Sequence, residues 1–252
     1  GQRRIDAVPA LLKALNQSDR TVRTAALTSL GSTATAKDLS VLIAQVVAPT
    51  YADDAPVAQQ ALKEACVRMS DREACAAELS AALGRSPAPT KTVLLEILGA
   101  VGGNKALATV GAAAKSTDPE LQDVGSRLLG EWMTADAAPV LLDLAKTGPG
   151  DKYTARALRG YIRIARQFTM TDPQRVDMCQ KAFDASRQSA EQKLVLEVLK
   201  RYPTVEMLKL AVKAAQVPEL KEDAKEASLA IAQKLPKTAE VRDILSKAGL
   251  DK

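Results

Sequence analysis

Apolar residues return at helical spacing along most of the chain. Val8, Leu11, Leu12 and Leu15 fall on one face of a helix, as do Val140, Leu141, Leu144 and Ala145, and Leu208, Ala211, Val212 and Ala215. Each stripe must be buried against another element. The pattern predicts a helix over 7–15 and further helices over 136–146, 153–166, 173–186, 190–201, 205–215, 218–234 and 239–248. A second kind of segment recurs between polar breaks. Asp19 is followed by Val22, Arg23, Ala26, Leu27, Leu30 and Gly31, and Asp118 by Leu121, Gln122, Gly125, Leu129 and Gly130 at matching offsets. Asp54 leads to Val57, Ala61, Leu62 and Ala65, and Thr90 to Val93, Ile97, Leu98 and Val101. Positions 19, 54, 90 and 118 are 35, 36 and 28 residues apart, the period of a helix-pair repeat.

Asp or Thr at these four positions predicts N-caps, because a side-chain oxygen there accepts from a free N–H of the first turn. Gly31 and Gly130 are expected to close their helices in the left-handed conformation. Pro119 fits a first helical position, where its missing N–H costs nothing. Stretches 86–89 and 148–150 are short enough to be turns within the array. The expected organisation is a single domain over 1–252, with about seven helix pairs and a C-terminal capping helix.

The segment Asp19-x-x-Val22-Arg23-x-x-Ala26-Leu27-x-x-Leu30-Gly31 resembles the second-helix signature of HEAT repeats. That resemblance implies an all-α, right-handed α-α superhelix of the HEAT/armadillo-like kind. It also implies a structural ladder in which a capping Asp meets an Arg of the neighbouring repeat, with Asp19 and Arg23 as members. The positions equivalent to Arg23 hold Ala58, Leu94 and Gln122, so the ladder departs from the family's pattern. Gly130-Glu131-Trp132, then Ala137-Ala138-Pro139-Val140-Leu141-Leu142 and Ala157-Leu158-Arg159-Gly160-Tyr161-Ile162-Arg163, is similar to a HEAT segment of large secreted or periplasmic bacterial proteins. Those proteins also carry glycoside-hydrolase-like, sugar-dehydrogenase-like or haem domains. The resemblance implies an extracytoplasmic location and chemistry in a neighbouring domain.

Composition agrees with close-packed helices: 45 Ala and 31 Leu stand against 7 aromatic residues. The absence of histidine removes the commonest general base and a common metal ligand. The net charge of +5 is modest for 252 residues, so nucleic-acid binding would need clustered cations. No run of 18 apolar residues marks a membrane helix. Gly1-Gln2-Arg3-Arg4 lacks the apolar stretch of a secretory signal. Gly in place of an initiator Met fits a chain cut from a longer one, with a signal or domain expected outside it.

Chemical constellations are scarce. Gly102-Gly103-Asn104 reads as a helix-to-helix turn, without the strand or the Lys-Ser/Thr of a phosphate loop. The carboxylates Asp53-Asp54, Glu222-Asp223 and Glu226 read as solvated groups in a loop or on a helix face. No cofactor or metal site is expected, and the expectation is a protein that is not an enzyme. Three cysteines, Cys66, Cys75 and Cys179, lack the Cys-x-x-Cys spacing of zinc or redox sites. Cys66 and Cys75 flank the turn Met69-Ser70-Asp71-Arg72. They can pair as a disulfide in an oxidising compartment or stay as two small buried thiols.

One stripe stands out on the helix expected over 152–166. Lys152, Arg156, Arg159, Arg163 and Arg166 lie within an arc of roughly 80°, taking about 100° per residue. These cations fit a groove for an acidic partner, or a solvated face salt-bridged to neighbouring carboxylates such as Glu191 or Asp123. Trp132, the sole tryptophan, can stack on a partner or pack in the core. Three functions follow. The leading one is a protein-interaction or domain-positioning scaffold, its partner a protein or a neighbouring domain and possibly acidic. A nucleic-acid-binding repeat is the second, although Lys63 and Lys91 are the only cations in their helices that could join a common groove. A glycan-binding module using Trp132 and Tyr153 is the third.

Overall fold

The structure is a computed structural model that describes residues 7–250; residues 1–6, Gly1-Gln2-Arg3-Arg4 among them, and 251–252 of the expected 1–252 domain lie outside the described residues. The described residues form fifteen α-helices and no strand. In chain order these are α1 Val8–Ala14, α2 Arg20–Thr33, α3 Leu39–Val47, α4 Ala55–Arg68, α5 Arg72–Arg85, α6 Ala88–Val101, α7 Asn104–Ala114 and α8 Pro119–Gly130. They continue as α9 Ala138–Thr147, α10 Asp151–Gln167, α11 Asp172–Ala185, α12 Ser189–Arg201, α13 Val205–Ala214, α14 Lys221–Lys234 and α15 Ala239–Lys247. Seven pairs and a closing helix are therefore present. None of these helices is long and apolar enough to cross a membrane.

The chain divides into two compact units, one ending at Leu128 and the other starting at Leu129. In the first, α2, α4 and α6 pack side by side as one row, and α3, α5 and α7 as another. In the second, α10, α12 and α14 form one row and α9, α11, α13 and α15 the other. Helix pairs stacked in two rows bury a continuous stripe between neighbours, which is how a helical repeat makes a core without long-range topology. Leu27, Leu30, Leu62, Leu94, Leu95 and Leu98 are buried in the first unit, and Leu141, Leu144, Leu196, Leu199 and Leu208 in the second.

Caps form where a short oxygen side chain precedes a helix. Asp19 accepts from the N–H of Thr21 at 2.7 Å, Asp71 from that of Ala74 at 2.9 Å, and Asp118 from that of Glu120 at 3.0 Å. Thr171 and Gln174 form a capping box. Two of the expected caps are corrected. Thr90 lies inside α6, which starts at Ala88 because Pro89 is tolerated in the first turn. Asp54 ends a 3-10 turn, Ala52–Asp54, and its carboxylate is taken by Arg23 instead of an N–H of α4.

The two glycine expectations are also corrected. Gly31 lies within α2, and Gly130 ends α8 without a positive φ; among the described residues only Gly102, Gly103 and Gly249 have one. What Gly31 provides is proximity, since a Cβ there would stand 3.0 Å from the Ala61 backbone. Gly102 and Gly103, at φ 70° and 88°, make the α6–α7 turn as expected.

Candidate interaction face and buried charges

The five cations of the basic stripe all lie on α10, Asp151–Gln167. Apolar spacing fixes the helix, with Ala157, Leu158, Tyr161, Ile162, Ile164 and Ala165 buried on the opposite side. The charges are largely engaged within the protein. Arg159 pairs with Glu191 at 2.9 Å; the Glu191 side chain is 2% exposed and that of Arg159 59%. Arg163 donates from Nε to the Gly130 carbonyl at 3.1 Å and from Nη2 to the Trp132 carbonyl at 2.5 Å. Its half-burial lowers its pKa through desolvation. Lys152 lies 5.5 Å from the centre of the half-buried Tyr153 ring, and Arg156 packs its Cγ near Gly130. Arg166 is exposed, and its carbonyl accepts from the Tyr202 hydroxyl at 2.8 Å.

Trp132 departs from an exposed stacking residue. It is 4% exposed, and its carbonyl is held by Arg163. The indole adds apolar area to a core poor in aromatics, which favours burial over display.

Among the described residues the expected ladder appears at a single Arg–Asp rung. Arg23 Nε reaches Asp54 Oδ2 at 2.5 Å, and both residues are buried. Nη1 of Arg23 donates to the carbonyls of Gln17 at 2.9 Å and Ser18 at 2.8 Å, and the guanidinium lies 3.6 Å from the Tyr51 ring centre. Asp54 is thus a buried partner, not a solvated loop carboxylate. The other carboxylates considered above do face water: Asp223 pairs with Lys193 at 2.9 Å and Glu226 with Lys200 at 3.5 Å, through half-exposed to exposed side chains.

A second clamp lies outside the residues singled out from the sequence. Arg175 of α11 is 4% exposed, stacks 3.7 Å from the Tyr202 ring centre, and donates to the carbonyls of Ala165 and Phe168. Its Nε is buried without a hydrogen-bond partner. Each arginine sits four residues after its cap, Asp19 or Thr171. That offset was available as a signal; the tyrosines, 28 and 27 positions further on, were not.

Long side chains also reach back to helix C-termini in both units. Arg68 donates to the Ala34 carbonyl at 2.5 Å and Lys234 to that of Lys200 at 2.8 Å, each across 34 residues. Arg163 does the same to the end of α8. A cation at this end complements both the unpaired carbonyls and the helix dipole. At the opposite polarity, Glu73 accepts from the N–H groups of Asn104 at 2.6 Å and Lys105 at 2.9 Å, capping α7 from α5.

Cys66 and Cys75 are buried free thiols that influence each other's titration, and Cys179 of the second unit is also buried and free. A groove of about 500 Å³ opens beside α11 and is lined in part by Asp172, Val176, Asp177, Gln180 and Glu206. Two of its acids are already paired, Asp177 with Lys181 at 2.6 Å and Glu206 with Lys209 at 3.7 Å.

No family model matches the sequence, and no curated protein does either. Several solved structures align at low similarity. An engineered protein is 19% identical with a TM-score of 0.43, the match covering 97% of this chain and 72% of that one. Human deoxyhypusine hydroxylase in complex with glycerol is 17% identical with a TM-score of 0.39, covering 78% and 73%. Kap121p bound to Ste12p is 14% identical with a TM-score of 0.42; the match covers 96% of this chain but only 28% of Kap121p.

Proposed function

We propose that this chain is a non-catalytic scaffold that binds a protein, or a neighbouring domain, through the outer surface of its helix rows. The observation that supports this most is the use of its buried charges. Arg23, Asp54, Arg175 and Glu191 are the buried charged residues among those described. All four bond to groups 5 to 32 positions away within the protein and brace helices against neighbouring helices and turns. Groups held this way give rigidity to a surface, which lowers the ordering cost of binding. The exposed part of the α10 stripe, chiefly Lys152, Arg159 and Arg166, is the surface assigned to an acidic partner. Similarity of the 130–163 segment to HEAT segments of secreted bacterial proteins supports a place outside the cytoplasm, beside a carbohydrate-linked domain.

A photo-crosslinking amino acid placed at Lys152 or Arg166 in the producing cell tests this reading. The expected product is a covalent adduct with an acidic protein segment, lost when Arg159 is changed to Glu. Adducts with nucleic acid, or salt-sensitive retention on DNA without any protein adduct, would replace it with the nucleic-acid reading.

A further inference from the structure

We propose that Cys66 and Cys75 form a dithiol oxidation site, at which a small-molecule disulfide converts the two thiols into one intramolecular disulfide tying the end of α4 to the start of α5. The placement carries the proposal. Cys66 lies two residues before the end of α4, Cys75 is the fourth residue of α5, and only Met69, Ser70 and Asp71 connect the helices. The backbone holds both ends of this turn: the Met69 N–H donates to the Cys66 carbonyl at 3.3 Å and the Cys75 N–H to the Asp71 carbonyl at 3.2 Å. The two side chains interact electrostatically with each other and are 0% and 2% exposed. The thiols therefore already share one site.

Burial protects the pair until the turn opens, and the turn is where opening is easiest, since Ser70, Asp71 and Arg72 are exposed. The contact also makes the thiols unequal. It lowers the pKa of Cys75, while the same contact and burial push Cys66 up. Cys75 lies in the first turn of α5, where the helix N-terminus favours a thiolate, and Cys66 lies near the C-terminal end of α4, so Cys75 is the attacking sulfur. Its thiolate displaces one sulfur of the reagent disulfide, forming a mixed disulfide and releasing one small thiolate. Cys66 then loses its proton to water and attacks Cys75 Sγ, expelling the second small thiolate. The protein loses two electrons and two protons, and the reagent disulfide gains them as two small thiols.

The test uses the whole chain and oxidised glutathione, read by intact mass and by non-reducing peptide mapping. The wild type is expected to lose two hydrogen atoms in mass and yield a Cys66–Cys75 linked peptide, with Cys179 still alkylated after unfolding. Closing this short loop is expected to raise the Tm by about 5 °C. Cys66→Ser should stop at a mixed disulfide with glutathione on Cys75, and Cys75→Ser should stay unmodified. A wild type that keeps three free thiols under excess reagent, or that ends with stable mixed disulfides and no linked peptide, would overturn the proposal. Equal glutathione capture by the two serine variants would overturn the order of attack.

Discussion

Two buried arginines, one in each unit, occupy the same local position and are neutralised differently. Arg23 and Arg175 both follow an N-cap by four residues, donate to the carbonyls of the preceding chain, and lie flat on a tyrosine at 3.6 and 3.7 Å. Arg23 also has a carboxylate, Asp54. Arg175 has carbonyls, a ring face and an unsatisfied Nε. The difference shows that a repeat can bury a guanidinium without an ion pair if carbonyl ends and an aromatic face surround it. It also predicts unequal dependence on the charge.

The largest expected effect comes from orphaning a charge in the first clamp. Asp54→Ala leaves Arg23 buried without its counter-ion and is expected to cost about 3 kcal/mol in urea unfolding. The double variant Arg23→Met/Asp54→Leu should recover most of that loss, and a double variant as unstable as Asp54→Ala would show that the pair itself matters more than its isolation. Close backbone approaches come next. Gly125→Ala places a Cβ 2.5 Å from the Ala114 nitrogen, and Gly160→Ala one 2.9 Å from the Gly130 Cα. Each is expected to cost about 2 kcal/mol, the first more than the second. Gly84→Ala, with nothing within 4 Å of the added carbon, should gain about 0.5 kcal/mol.

Arg175→Met is expected to cost only about 1 kcal/mol, because it strands no carboxylate and removes an unpaired donor. A cost matching that of Asp54→Ala would break the comparison. The smallest effect is one of pH. Burial raises Tyr161 and Cys179 of the second unit to about 12, from ordinary values of 10.0 and 9.0. The unfolded chain therefore deprotonates first, so their contribution is intact below about pH 9 and declines as pH rises toward 12. Tyr161→Phe/Cys179→Ala should flatten the alkaline part of a Tm-against-pH curve.

The helix pairs were legible because their stripes bind leucine and alanine into a period that solvent exclusion alone explains. The second helices and the late pairs follow the expected bounds to within a few residues. The least distinct stripe is that of α5, with five alanines, since alanine is nearly neutral between core and surface. The basic stripe of α10 was legible as a stripe but not as a set of bonds, because Gly130, Trp132 and Glu191 lie 31 to 33 positions from their arginines. Trp132 and Asp54 went inward for the same reason: their fates depend on neighbours from another repeat.

By itself the sequence determined that this protein is all helix, arranged in pairs and closed by a last helix, because a 3.6-residue apolar period acts locally and every repeat must hide its own stripe. Only the tertiary structure decided which charges became buried clamps, which glycines serve contact and which serve turns, and which two thiols meet. Those outcomes depend on distances between residues of different helices, from seven positions to about one repeat apart, and such distances exist only after the helices have packed.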